Sequence, residues 1–127
     1  GGPRGAYWDG GITDYHLHLN FAAMAEGLVL YPHFQRQLVP GWLDKALRRR
    51  HRATAWLSNV VVLAPNPSWV ASLPNGKLPD RDDFKTYGDD LAGRARVWSR
   101  AVSQSAQLAE EFATLVGRRT IEALPLV

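Results

Sequence analysis

The chain has 127 residues, of which 46% are hydrophobic and 21% are charged, and its formal net charge is +3. These values are ordinary for one small globular domain with a modest core, and so mild a charge points to no nucleic-acid partner. The absence of cysteine excludes disulfides and thiolate metal sites. No apolar run approaches the roughly twenty residues of a membrane span, so we expect a soluble protein, cytoplasmic or peripheral at a membrane.

The first predicted element is a loop over residues 1–11, because this stretch contains five glycines and a proline. Asp9 therefore lies on a loop. From Ile12 to Phe21 polar and apolar residues alternate, which predicts a strand. On such a strand Asp14, His16 and His18 would share one face.

Residues 12–64 are predicted to hold strands with a short helix. The apolar runs Leu28–Tyr31 and Leu57–Ala64 each end at a proline and are typical of buried strands. Between them, residues 40–47 begin with proline and have apolar positions spaced for a short helix. A basic cluster, residues 48–52, follows directly.

Residues 65–88 are predicted to be mostly loop, because they are rich in Pro, Gly, Asn and Asp, with a single helical turn around residues 68–73. Residues 89–117 are predicted to form one long amphipathic helix, since apolar residues recur at spacings of three and four. The expected fold class is α/β, with a few short strands and one long C-terminal helix.

The motif that carries a functional hypothesis is Asp9-Gly10-Gly11, which by itself is a common turn sequence. In its context the chain resembles the patatin-like phospholipase family, whose members carry an Asp-Gly-Gly or Asp-Gly-Ala motif. The resemblance extends through the segments 12–16, 27–34, 39–45 and 78–84 and the final helix. It implies the C-terminal fragment of a patatin-like catalytic domain.

The resemblance further implies a Ser-Asp dyad that cleaves acyl esters of lipids, with Asp9 as the catalytic base, Gly10 and Gly11 in the active-site loop, and no cofactor. The nucleophile motif Gly-x-Ser-x-Gly does not occur in the chain. We therefore expect the serine to lie in a missing N-terminal half, which would be this chain's partner along with a lipid or small ester substrate. The fragment alone is expected to be inactive and to self-associate.

Two alternatives stay open. His16 and His18 form a His-x-His pair, which on a strand could bind one divalent metal, as in metal-dependent hydrolases. Against this, the chain offers few further metal ligands. The two rings could instead pack beside the active-site loop or meet solvent. The other alternative is a non-catalytic structural or interaction module, in which the aspartate motif is only a turn.

The basic cluster admits two interpretations as well. It is either a solvated helix end or a contact for the anionic surface of a membrane. The residues concerned are Arg48, Arg49, Arg50 and Arg52.

Overall fold

The computed structural model describes residues 1–24 and 26–126. The chain divides into two compact units. The first covers Gly1–Ala64 and takes in the residues from Ala123 onward, and the second covers Pro65–Glu122. Helices and strands both occur, in keeping with the predicted mixed α/β class.

The first unit is built on two parallel strands, β1 (Val29–Pro32) and β2 (Val60–Leu63). Val29 pairs with Val60, and Pro32 pairs with Leu63. Three consecutive valines favour β2, because branched side chains fit a pleated surface. Both predicted strands are confirmed: β1 is displaced by one residue from its apolar run, and β2 is shorter than its run.

Short 3-10 turns connect these strands and replace the predicted short helix at residues 40–47. Gly41 is extended, and Leu47 has ψ near 67°, so the backbone leaves the helical region on both sides of Trp42–Asp44. A second turn, Arg48–Arg50, follows. The predicted helix is therefore wrong in length: the segment makes two separate turns.

The predicted strand from Ile12 is also wrong. Leu17 has φ of 51°, a left-handed conformation that an extended strand cannot contain. The segment is held instead by isolated hydrogen bonds. One of them is donated by the Tyr15 amide to the Pro40 carbonyl at 2.8 Å. The exposure is the reverse of a half-buried strand, because His16 is buried while Leu17 and Leu19 are exposed.

The second unit contains four helices: α1 (Pro67–Ser72), α2 (Asp83–Tyr87), α3 (Leu91–Gln104) and α4 (Ala106–Val116). The α1 helix is the predicted helical turn; Asn66 caps it and Pro67 is its first residue. The α2 helix lies in the region predicted to be loop. No helix in the described part of the chain is both long and apolar enough to cross a membrane.

The long C-terminal helix is present, but it is interrupted. The Asp90 carboxylate caps its start by accepting a bond from the Gly93 amide, and Gly117 follows its end. At Ser105 the hydroxyl donates to the Val102 carbonyl at 2.6 Å, and the backbone makes a turn between α3 and α4. Such a bond to a backbone carbonyl competes with the helical pattern, and it coincides with the interruption.

A buried carboxylate organises the second unit. Asp83 is 1% exposed, and its carboxylate accepts a bond from the Trp98 indole at 2.9 Å. Lys77 forms an ion pair with it at 2.7 Å. Because Trp98 belongs to α3, these bonds hold α2 and the preceding loop against that helix.

Candidate functional site

The predicted catalytic aspartate lies at the start of a tight turn. Asp9 precedes the 3-10 turn Gly10–Ile12, and its Oδ1 atom accepts a bond from the Gly11 amide at 2.7 Å. The turn is closed by the Ile12 amide, which donates to the Asp9 carbonyl at 3.1 Å. The Asp9 side chain is therefore fixed by its own turn and exposed to solvent.

The turn leaves little room for a side chain at Gly11. A Cβ atom at Gly11 would lie 3.0 Å from Asp9 Oδ1 and 3.4 Å from a ring carbon of Tyr15. A second close approach occurs at Gly41, where a Cβ atom would lie 2.7 Å from the Ile12 carbonyl oxygen. The aspartate turn is thus positioned by backbone packing against Gly41.

Beside this turn the first unit contains a cavity of about 620 Å³, within the usual size of a small-molecule site. Tyr15, Phe34 and Val39 give it aromatic and aliphatic walls, to which two glutamines contribute. Lys45 and Arg48 are the permanently charged residues that line it. Tyr15 therefore contacts the aspartate turn and the cavity alike.

His16 lines the cavity and is almost fully buried. Its Nδ1 atom accepts a bond from the Val39 amide at 2.9 Å, so the neutral ring carries its hydrogen on Nε2. No described protein group bonds to that Nε2. The Tyr31 hydroxyl donates to the His16 carbonyl at 2.6 Å, which ties the segment to β1.

Burial lowers the pKa of His16 from 6.5 to about 4, with the ring of His33 acting in the same direction. The Gln37 carbonyl opposes this change. The two histidine rings have centroids 4.5 Å apart, so a charge on one would disfavour a charge on the other. His16 is therefore a neutral group at pH 7.

His18 has a separate environment. Its amide donates to the Asp14 carboxylate at 2.9 Å, and its Nε2 atom lies 3.2 Å from the Thr54 hydroxyl. Within residues 1–24 and 26–126, no three histidine or carboxylate groups lie close enough to hold a metal ion. Metal binding by His16 and His18 is further disfavoured by the hydrogen bonding of His16. Its Nδ1 accepts a bond from the Val39 amide, so its Nε2 carries the ring hydrogen and neither nitrogen offers a free lone pair.

The basic cluster of residues 48–52 divides into paired and unpaired charges. Arg50 forms an ion pair with Asp44 at 3.3 Å. The second oxygen of Asp44 accepts a bond from the Gly41 amide at 3.1 Å. No carboxylate of the described residues lies within 4.0 Å of the charged groups of Lys45 or Arg48.

The structure thus keeps Asp9, Gly10 and Gly11 together on one turn but gives His16 and His18 different surroundings. The cavity was missed at the sequence level. One signal for it was present, since Lys45 and Arg48 are three residues apart beside a turn. What joins them to Tyr15 and Phe34 is tertiary packing, which the sequence pattern does not display.

Comparison of the chain with protein-family models, curated proteins and solved structures found no match.

Proposed function

We propose that the intact protein is a patatin-like serine hydrolase that cleaves acyl esters of lipids, and that Asp9 is the base of its Ser-Asp dyad. The observation that carries this proposal is the presentation of the Asp9 carboxylate. One of its oxygens is oriented by the Gly11 amide, and the side chain is exposed for contact with a further group. A base held in one orientation is what proton transfer from a serine requires.

In the proposed reaction, the serine hydroxyl oxygen attacks the ester carbonyl carbon while Asp9 takes the hydroxyl proton. The tetrahedral intermediate expels the alcohol, which receives that proton from Asp9. Water then gives a proton to Asp9 as its oxygen attacks the acyl-serine carbonyl. The second tetrahedral intermediate releases the fatty acid, and Asp9 returns the proton to the serine oxygen.

Exposed apolar surface supports the expectation that a further segment packs on the first unit. Tyr7, Trp8 and Leu28 are each more than 70% exposed. Parallel sheets are ordinarily buried on both faces, and two strands are few for a stable sheet. A further segment of the intact protein would cover such surface, and without that segment the same surface would favour self-association.

The test is Asp9→Asn in the intact protein, with Asp89→Asn as the matched control. Both substitutions remove one exposed carboxylate, but Asp89 makes no side-chain hydrogen bond within the described chain. We expect Asp9→Asn to lower turnover of a short-chain ester by roughly 10²–10⁴-fold, the usual contribution of a general base. Asp89→Asn should retain turnover within about twofold.

Two outcomes would contradict the proposal. Near-normal turnover in Asp9→Asn would exclude it as the base. Failure of a fluorophosphonate probe to label any serine of the folded intact protein would favour the alternative, a non-catalytic module in which Asp9-Gly10-Gly11 is only a turn.

A further inference from the structure

The cavity beside the aspartate turn has an uneven distribution of charge. Lys45 and Arg48 line it, and no carboxylate contributes to its lining in the portion of the chain that is described. The nearest acidic residue on the same turn, Asp44, is already engaged by Arg50 and by the Gly41 amide. Two cationic residues therefore line the cavity with no counter-ion among the described residues.

Lys45 is held in place by aromatic rings. Its ammonium lies 4.3 Å from the centre of the Tyr15 ring and 5.2 Å from that of Trp42. Such cation–π contacts restrict a flexible side chain while leaving its three hydrogens available to an acceptor. The lysine is consequently positioned before any ligand arrives.

The remaining walls suit the other part of an amphipathic molecule. Val39 is buried, and the exposed ring of Phe34 lies at the cavity. His16 adds a buried Nε2 hydrogen that has no protein acceptor among the described residues. The cavity thus combines cationic residues with an apolar wall.

We propose that this cavity binds an organic phosphate monoester, with the phosphate between Lys45 and Arg48 and the apolar part against Phe34 and Val39. A phosphate monoester carries nearly two negative charges at neutral pH, which matches two unpaired cations better than a single carboxylate does. Arginine binds phosphate oxygens through two parallel bonds, and lysine adds a point charge.

This inference does not require the hydrolase proposal. It concerns binding by the chain itself, so it can fail while Asp9 proves catalytic, or hold while Asp9 does not. If both hold, Tyr15 gives them a physical connection, because its ring contacts the aspartate turn and lines the cavity.

The experiment measures binding of hexyl phosphate to the 127-residue chain by calorimetry, with inorganic phosphate as the second ligand. The variants are Arg48→Gln and its control Arg49→Gln. Both arginines are exposed on one 3-10 turn, and only Arg48 lines the cavity. Circular dichroism and the thermal midpoint establish that both variants fold like the parent chain.

We expect hexyl phosphate to bind at least about tenfold more tightly than inorganic phosphate, because only the ester reaches the apolar wall. Arg48→Gln should weaken hexyl phosphate at least about tenfold, and Arg49→Gln less than about twofold. Equal weakening in both variants would overturn the proposal, since it would show attraction to general positive charge. Absence of binding at millimolar hexyl phosphate, or equal affinity for the two ligands, would overturn it too.

The phosphate could belong to a soluble metabolite or to a lipid headgroup, and a second arm distinguishes these sources. Vesicles of phosphatidylcholine with and without phosphatidic acid are sedimented with each variant. Binding that needs phosphatidic acid and is lost only in Arg48→Gln supports the site with a lipid as its source. Loss of vesicle binding to the same degree in Arg49→Gln would count against the site.

Discussion

The buried histidine predicts a measurable pH dependence of stability. His16 has a pKa of about 4 in the folded protein, compared with 6.5 when it is free. Between these values the unfolded chain binds more protons than the folded one, so the free energy of unfolding falls as pH falls from 6.5 to 4. Well above pH 6.5 the histidine is neutral in both states, and protonation of the unfolded chain no longer lowers stability.

The size of the effect follows from the difference between the two pKa values. Folding lowers the pKa of His16 from 6.5 to about 4. With this difference, the free energy of unfolding at pH 5 is lower than at pH 7 by about 2 kcal/mol. Water in the adjoining cavity can solvate part of the charge, which reduces the expected effect to about 1 kcal/mol. At this size it is resolvable by urea titration.

The assay compares the parent chain with His16→Asn at pH 7 and pH 5. Asparagine can place its oxygen near the position of Nδ1 and accept the Val39 amide, but it does not titrate. We expect the parent to lose about 1 kcal/mol more than His16→Asn over this range. His18→Asn, which leaves the buried ring in place, should behave like the parent. Equal pH dependence in the parent and His16→Asn would refute the assigned burial.

Two further predictions concern backbone packing and the second unit. Gly41→Ala should lower the free energy of unfolding by about 1–3 kcal/mol, because the new methyl would lie 2.7 Å from the Ile12 carbonyl oxygen. Thermal unfolding measures this change. The control Gly5→Ala has open space around the new methyl and should change stability little. For Asp83, the hydrogen bond with Lys77 holds the pKa of the carboxyl below its usual value. The stability that this contributes is present above the unfolded pKa near 4 and is lost as pH falls through the lower folded value. Asp83→Asn should therefore be less stable at neutral pH and show a shallower decline in acid, measured by urea midpoints from pH 6 to 2; an unchanged acid decline would contradict it.

The elements that could be predicted from the sequence are those set by local patterns. The valines of β2 and the heptad-like spacing of the C-terminal region specify a strand and a helix by themselves. The strand predicted from Ile12 was wrong because alternation does not reveal whether a pairing partner exists. There a left-handed Leu17 and bonds to distant groups decide the conformation.

The candidate site also combines features that the sequence predicts with features that depend on tertiary contacts. The turn at Asp9 follows from its two glycines, so its local shape could be predicted. The environment of His16 could not, because its ring bonds to Val39, which is 23 residues away in the chain. The role of Lys45 likewise depends on the ring of Tyr15, which reaches it only in the folded unit.

The connection between the two parallel strands has a consequence for how the molecule assembles. Val29 and Val60 are about thirty residues apart, and most of the cavity lining comes from the chain between them. Closing so long a loop loses entropy before strand contacts can compensate, which slows folding. The cavity is therefore expected to form late, as the β1–β2 pairing is completed. Ligand binding in the cavity would therefore be observed only once the native state has formed. A change in the length of the chain between β1 and β2 would affect ligand binding more readily than the pairing of the strands.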